Sequence, residues 1–322
     1  MTKSERGPSK RRASRRTFLR VGTAAVAATT IGSATTGLGR AQTRESYSIR
    51  DGTDDETDVV VVDSGSAGPT AVVVGGVHGN EPAGYEAARA IRGRSIDRGK
   101  LVVVSRANPT ALEAGTYSNE NGNLNRKFPP GREPTTPLAR AIWGVVTRHD
   151  ADLVMSLHSS KGIYGADEGP DGVGQAIYPT TASGARRNAA KAAEYANENH
   201  LDDSWADHYR FQRGNLIDGD RPLLIHKVDA DLGEPGFIVE TTKYGTSLET
   251  RVDWTLAIVE YLLGQYSIDR VPESSAGDAP DDGADGDSEE QSSGDAPDGN
   301  ADERSSDDGS TDGGQSSDDG ST

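Results

Sequence analysis

The 322 residues include no cysteine. That absence excludes disulfides, thiol nucleophiles, cysteine-ligated zinc and lipid anchoring through a thioether or thioester. Any metal must therefore sit on imidazoles and carboxylates. Apolar residues are also scarce at 33%, below the usual globular share, and the deficit is concentrated at the two ends. Lysine is rare, with 8 residues against 26 arginines. The central region carries a net charge of about −10, so it lacks the basic footprint that nucleic-acid binding requires. No nucleic-acid partner is expected. A carboxylate-rich, lysine-poor surface reads as a halophilic adaptation, in which dense acids keep the protein hydrated and soluble.

Charge and composition divide the chain in three. Residues 1–41 read as an export signal. Ser14-Arg15-Arg16-Thr17-Phe18-Leu19-Arg20 resembles a twin-arginine motif, and a weakly apolar stretch runs from Val21 to Leu38. That stretch is too mild for a membrane-spanning helix. Gly39-Arg40-Ala41 offers small residues for cleavage. The expected location is outside the cell or at its surface, through twin-arginine translocation, with no stable membrane span once the signal is removed. Residues 272–322 are Asp, Gly and Ser with 17 acids and one arginine. Such a segment cannot bury enough surface to offset chain entropy, so a disordered acidic tail is expected. Residues 45–268 between them are long enough for one domain with a sizeable core.

Within that domain apolar β-branched runs alternate with helical patterns. Strands are expected at Val59–Asp63, Thr70–Gly76, Lys100–Arg106, Asp152–Leu157, Leu223–Val228 and Gly236–Glu240. Helices are expected at Pro82–Arg92, Pro137–Arg148, Ala182–Asn199 and Leu248–Leu263. The alternation predicts an α/β fold, a three-layer sandwich around a mixed, mostly parallel central sheet.

Functional groups in such sheets collect at the carboxyl ends of strands. The strand at 70–76 runs into Gly75-Gly76-Val77-His78-Gly79-Asn80-Glu81-Pro82. His78 and Glu81 are three residues apart where the chain enters a helix, so an imidazole and a carboxylate can grip one ion. His158 ends the apolar run Asp152–Leu157 and lands on the same rim. Two imidazoles, one carboxylate and a water make an open catalytic zinc site, and this donor set suits Zn²⁺ best. His149, His200, His208 and His226 lack such placement and read as surface or structural residues.

Gly-Gly-x-His-Gly-Asn-Glu-Pro, then Asn-Leu-Asn-Arg-Lys-Phe-Pro at 123–129, then Leu-His-Ser-Ser at 157–160, resemble in this order the succinylglutamate desuccinylase/aspartoacylase family of the zinc carboxypeptidase superfamily. The resemblance spans about residues 68–265. It implies His78, Glu81 and His158 as zinc ligands, in agreement with the reading from the residues. It places the family's Asn-Arg pair on Asn125 and Arg126. The planar guanidinium of Arg126 then holds a substrate carboxylate bidentately, with Asn125 hydrogen-bonding beside it. The family's late strand-end glutamate falls on Glu240, as general base and then acid. The implied activity is zinc-dependent cleavage of an amide bond next to a carboxylate, as in N-acyl amino-acid deacylases. The alternatives are an exported zinc carboxypeptidase acting on peptides, or a catalytically silent metal-binding module. The expected partner is a small carboxylate-bearing substrate or peptide.

Three departures stand out. The family's oxyanion-stabilising arginine is missing from Gly115-Thr116-Tyr117-Ser118-Asn119, which leaves that role to zinc, Lys127 or Lys161. Ser156 stands where relatives carry Asp, two residues before the third ligand. The additional β domain of many relatives has no counterpart before the acidic tail.

Overall fold

The computed structural model describes residues 41–165 and 169–271. The expected export segment up to residue 40 and the acidic tail at 272–322 lie outside the described residues. Seven strands form one sheet: β1 (Thr43–Ile49), β2 (Thr57–Asp63), β3 (Thr70–Val74), β4 (Lys100–Val104), β5 (Leu153–Ser160), β6 (Ala176–Pro179) and β7 (Gly236–Thr242). Their spatial order is β1-β2-β4-β3-β5-β7-β6. The four central strands β4, β3, β5 and β7 are parallel to one another, while β1, β2 and β6 attach antiparallel at the edges. The central strands read as continuous apolar runs because both faces are covered; every residue of β3 is buried.

Six helices cover the sheet: α1 (Pro82–Ile91), α2 (Pro109–Ala114), α3 (Pro137–Arg148), α4 (Ala185–Asn199), α5 (Leu224–Lys227) and α6 (Leu248–Gln265). On one face Val73, Leu101, Met155 and Val239 pack with Ala87, Ile91, Ala189, Ala192, Ile258 and Leu262 of α1, α4 and α6. On the other, Val72, Val74, Val102 and Val154 pack with Leu138, Ile142 and Val146 of α3 and with Leu224 and Ile225 of α5. This is the expected three-layer sandwich. Pro82 opens α1 and Pro137 opens α3, where a missing N–H costs no helical bond. Thr136 caps α3 by accepting from the Ala139 N–H.

β3 has β4 on one side and β5 on the other, so connections leaving it diverge and open a crevice beyond its carboxyl end. Gly76 turns the chain there at φ +71°, a conformation glycine adopts without steric cost. Gly79 lies so close to Ala111 that any Cβ would overlap that residue's carbonyl oxygen. The two glycines fold the His78 loop tightly against α2.

One expected strand is corrected. Leu223–Val228 forms α5, followed by a single wide turn at Val228–Leu232. A short apolar run carries no periodicity that separates strand from buried helix, and here all four residues of α5 are buried. Its Lys227 is 2% exposed. The ammonium donates to the carbonyls of Pro129 and Arg132 and to Asp231, and it lies 4.7 Å from the Trp143 ring centroid. This clip fastens the loop after Arg126 to α5. Lys227→Met leaves the Asp231 carboxylate without its cation and the two carbonyls without a donor. We expect a loss of about 1–3 kcal/mol, the cost of leaving buried hydrogen-bonding groups unpaired, read from the urea midpoint.

β1, β6 and α2 carry no strong signal in the sequence. β5 extends three residues past the expected end, so His158 lies inside the strand rather than after it.

Candidate metal centre and cavity

His78, Glu81 and His158 converge, although 80 residues of chain separate the first and last. One ligand atom from each lies within 4.8 Å of the others, and all three side chains are buried. His78 Nδ1 is 3.0 Å from Glu81 Oε1, and His158 Nδ1 is 3.0 Å from Glu81 Oε2. The imidazole planes are tilted, with centroids 5.0 Å apart. Ser159 N–H also donates to Glu81 Oε2. Burial alone would raise the Glu81 carboxyl, but the hydrogen bonds to His158 and His78 outweigh it and hold the group far below the usual carboxylate range. Burial lowers the His158 imidazole, with Glu81 opposing. A carboxylate held between two imidazole Nδ1 atoms is a ready set of three donors.

The set fits a transition-metal ion of zinc's kind. Both Nδ1 atoms face the carboxylate, and both Nε2 atoms are engaged on the far side of their rings, by Asn123 Oδ1 at 3.1 Å and Ser156 Oγ at 2.8 Å. Ligands on a tetrahedral ion with bonds of about 2.1 Å stand about 3.4 Å apart, somewhat more than the 3.0 Å imidazole–carboxylate spacings found. Two nitrogens and one oxygen are the donors of catalytic zinc rather than of calcium or magnesium.

Glu240 lies directly beside His158, since the two are register partners on the parallel strands β7 and β5. Its Oε2 is buried and has no hydrogen-bond partner. Burial, reinforced by the Glu81 charge and only partly offset by Lys243, pushes its carboxyl well above the ordinary range. A carboxyl raised in this way is better matched to general acid–base work than an ordinary exposed one.

Asn123, Asn125 and Arg126 sit around a short 3₁₀ turn at Leu124–Arg126. Asn123 Oδ1 accepts the Asn125 N–H at 2.8 Å, and Asn125 Oδ1 accepts the Leu224 N–H at 3.2 Å. These bonds anchor the turn to the His78 loop on one side and to α5 on the other. Arg126 itself is exposed into the cavity, its guanidinium donating to the Asn125 carbonyl.

His78, His158, Glu240, Asn125 and Arg126 all line one open cavity of about 660 Å³. The five residues expected on its wall are therefore together, with Glu81 buried behind the two imidazoles. Other wall residues carried no sequence signal: Tyr117, Tyr164, Tyr178, Asp218, Arg221 and His226. Tyr117 packs at a tilt against His78, with 3.9 Å between centroids, so the segment without the expected arginine supplies an aromatic cover to the imidazole. His226, read from the sequence as surface or structural, is buried on α5 and faces this cavity. Lys127 and Lys161, the side chains expected to stabilise an oxyanion, are not on the wall. Lys127 shares a turn with Arg126 but approaches Gly122 instead.

The chain is similar to known proteins over part of its length. Residues 67–162 match the succinylglutamate desuccinylase/aspartoacylase catalytic domain. A 108-residue stretch is 38% identical to the N-alpha-acetyl-L-2,4-diaminobutyric acid deacetylase of Halomonas elongata, covering 31% of this chain and 31% of that protein. Among solved structures, the tripeptide-bound cell shape determinant Csd4 of Helicobacter pylori superposes with a TM-score of 0.57 at 19% identity, over 68% of this chain and 57% of that one. The mDAP-bound form of the same protein, described as a D,L-carboxypeptidase, gives a TM-score of 0.54 at 22% identity, over 64% and 52% of the two chains. The chain thus spans under a third of its curated relative and little more than half of these structures. At this identity the structures establish the shared fold.

Proposed function

We propose that the protein is a zinc-dependent hydrolase that cleaves an amide bond next to a carboxylate, in the manner of an N-acyl amino-acid deacylase. One observation carries the reading: two imidazoles and a carboxylate converge at a cavity that also presents a half-buried glutamate on the adjacent strand and an exposed arginine. The match of residues 67–162 to a deacylase catalytic domain supports it. His78, Glu81 and His158 hold the ion, which when bound supplies Lewis acidity toward a water and a carbonyl oxygen. Glu240, beside His158, takes the proton from the attacking water and returns it to the leaving amine. Arg126 fixes the substrate carboxylate, with Asn125 beside it, so that the amide carbonyl is brought to the ligand cluster.

A second reading, a carboxypeptidase acting on peptides, draws on the size of the cavity. About 660 Å³ lies in the range of drug-sized pockets and is roomy for a short acyl chain on one amino acid. The chain is proposed to act outside the cell, exported by the segment at 1–41 and kept soluble in high salt by its acids and the tail at 272–322. Among the described residues no helix is long and apolar enough to cross a membrane.

The test is an assay of the zinc-loaded full chain in high salt, with N-acyl amino acids set against short peptides. Hydrolysis of the former and not the latter is expected; cleavage of neither refutes the hydrolase. Arg126→Ala separates binding from chemistry. Loss of a charge-assisted bidentate pair costs about 1.5–3 kcal/mol, so KM for a carboxylate-bearing substrate should rise roughly 10- to 100-fold. A substrate with that carboxylate amidated should respond equally poorly to wild type and variant.

A further inference from the structure

Each ligand histidine commits Nδ1 to the centre and presents Nε2 to the protein behind it. Behind a metal-ligating histidine, proteins usually place a carboxylate, a backbone carbonyl or a water, and a charged partner raises the ligand's basicity. Here neither partner is any of these. His78 Nε2 meets the side-chain amide oxygen of Asn123 at 3.1 Å, and His158 Nε2 meets the hydroxyl of Ser156 at 2.8 Å. The amide orientation is fixed, because the same Oδ1 also accepts the Asn125 N–H at 2.8 Å and only the oxygen can accept from both. Ser156 is fully buried in β5, so no solvent replaces it.

We infer that Asn123 and Ser156 back the two ligand histidines with an uncharged outer shell, which leaves the bound cation only partly neutralised and readily exchanged. The inference rests on the metal-centre reading above. Glu81 contributes one negative charge and the imidazoles none, so a divalent ion keeps a net positive charge. That residual charge is left for a carboxylate-bearing substrate in the adjoining cavity to balance. Carboxylates at 123 and 156 would neutralise the ion before substrate arrived, hold it more tightly and weaken it as a Lewis acid.

The two positioning residues differ in reach. The Ser156 hydroxyl is bonded to His158. Asn123 joins two functional parts through one oxygen: the His78 ligand and the turn that carries Asn125 and Arg126. Loss of Asn123 therefore disturbs metal and carboxylate binding together, whereas loss of Ser156 disturbs the metal alone.

Zn²⁺ affinity of the full chain, measured by chelator competition, tests this on wild type, Asn123→Asp, Asn123→Ala and Ser156→Ala. Asn123→Asp is nearly isosteric and keeps both accepted bonds while adding a charge. It should bind Zn²⁺ about tenfold or more tightly, release it to chelator more slowly, and shift the pH–rate profile to higher pH; outer-shell changes typically move affinity 10- to 100-fold. Asn123→Ala and Ser156→Ala should each bind the ion about tenfold more weakly. Of these two, only Asn123→Ala should also raise KM for a carboxylate-bearing substrate. A folded Asn123→Asp with unchanged or weaker Zn²⁺ affinity overturns the inference and leaves the hydrolase reading standing. A wild-type chain that binds no Zn²⁺ overturns both.

Discussion

Glu240→Gln should lower kcat by about a hundred- to ten-thousandfold, the range for removing a general acid–base, while Zn²⁺ stoichiometry and KM stay near wild type. The same variant should be more stable. Glu240 is a carboxyl whose Oε2 is buried with no hydrogen-bond partner and whose ionised form is disfavoured first by burial and then by the Glu81 charge. Its folded-state pKa is raised, so the native protein binds the proton more strongly than the unfolded chain does. The group's contribution to stability is therefore fully present below the unfolded value of about 4.3 and is lost as pH rises toward and through the raised native one. Gln carries no such charge. In metal-free protein the variant's gain should vanish near pH 4 and grow toward pH 8, where a gain of about 1 kcal/mol would appear as a rise of roughly 2–4 °C in Tm. Calorimetry across that pH range reads the stability and steady-state kinetics read the rate. A silent binding module would show no change of turnover on this substitution, because it would have none to lose. A stabilised but fully active Glu240→Gln would remove Glu240 from the chemistry.

The combination of lost rate and gained stability is specific to a group held in an unfavourable state for function. A strand-end glutamate with ordinary solvent contacts would give neither. The opposite pattern is expected of Lys227, where charge and donors are fully satisfied and substitution costs stability without entering the cavity.

The convergence of His78, Glu81 and His158 was legible from the sequence because its local signals are strong. Val72–Val74 and Leu153–Leu157 are β-branched or apolar runs that fill strands covered on both faces, and each leads directly to a histidine. Glycines at 75, 76 and 79 mark the tight turn that follows. The cavity wall beyond the ligands was not legible. Tyr117, Tyr164, Tyr178, Asp218 and Arg221 come from loops, an edge strand and a segment with no hydrophobic period, and only tertiary folding brings them to one space. Leu223–Val228 shows why His226 was missed. As a strand, the run gave its histidine no defined place; as the short helix α5, it sets His226 against the cavity and Lys227 against the loop after Arg126. Asn123 was visible only as a turn former, and nothing in sequence spacing reports that its oxygen holds a ligand imidazole.

Removal of one ligand should have the largest effect of all. His158→Ala deletes one of three protein donors and leaves an imidazole and a carboxylate, too few to hold an open tetrahedral site against a chelator. Zinc content should fall from one per chain toward none. Catalysis attributed to the ion is worth several kcal/mol, and each 1.36 kcal/mol is tenfold in rate, so kcat/KM should drop by about a thousandfold or more. The fold should survive. Glu81 Oε2 keeps the Ser159 N–H and Oε1 keeps His78, and the rest of β5 remains bonded to β3 and β7. Circular dichroism and zinc analysis on the same sample separate loss of metal from loss of structure. Chelator treatment of wild type should reproduce the loss of activity, and Zn²⁺ should restore wild type but not His158→Ala. If the folded variant retained one zinc at wild-type affinity, the ion would lie elsewhere, and the roles given to Glu240 and Arg126 would have no centre to act on.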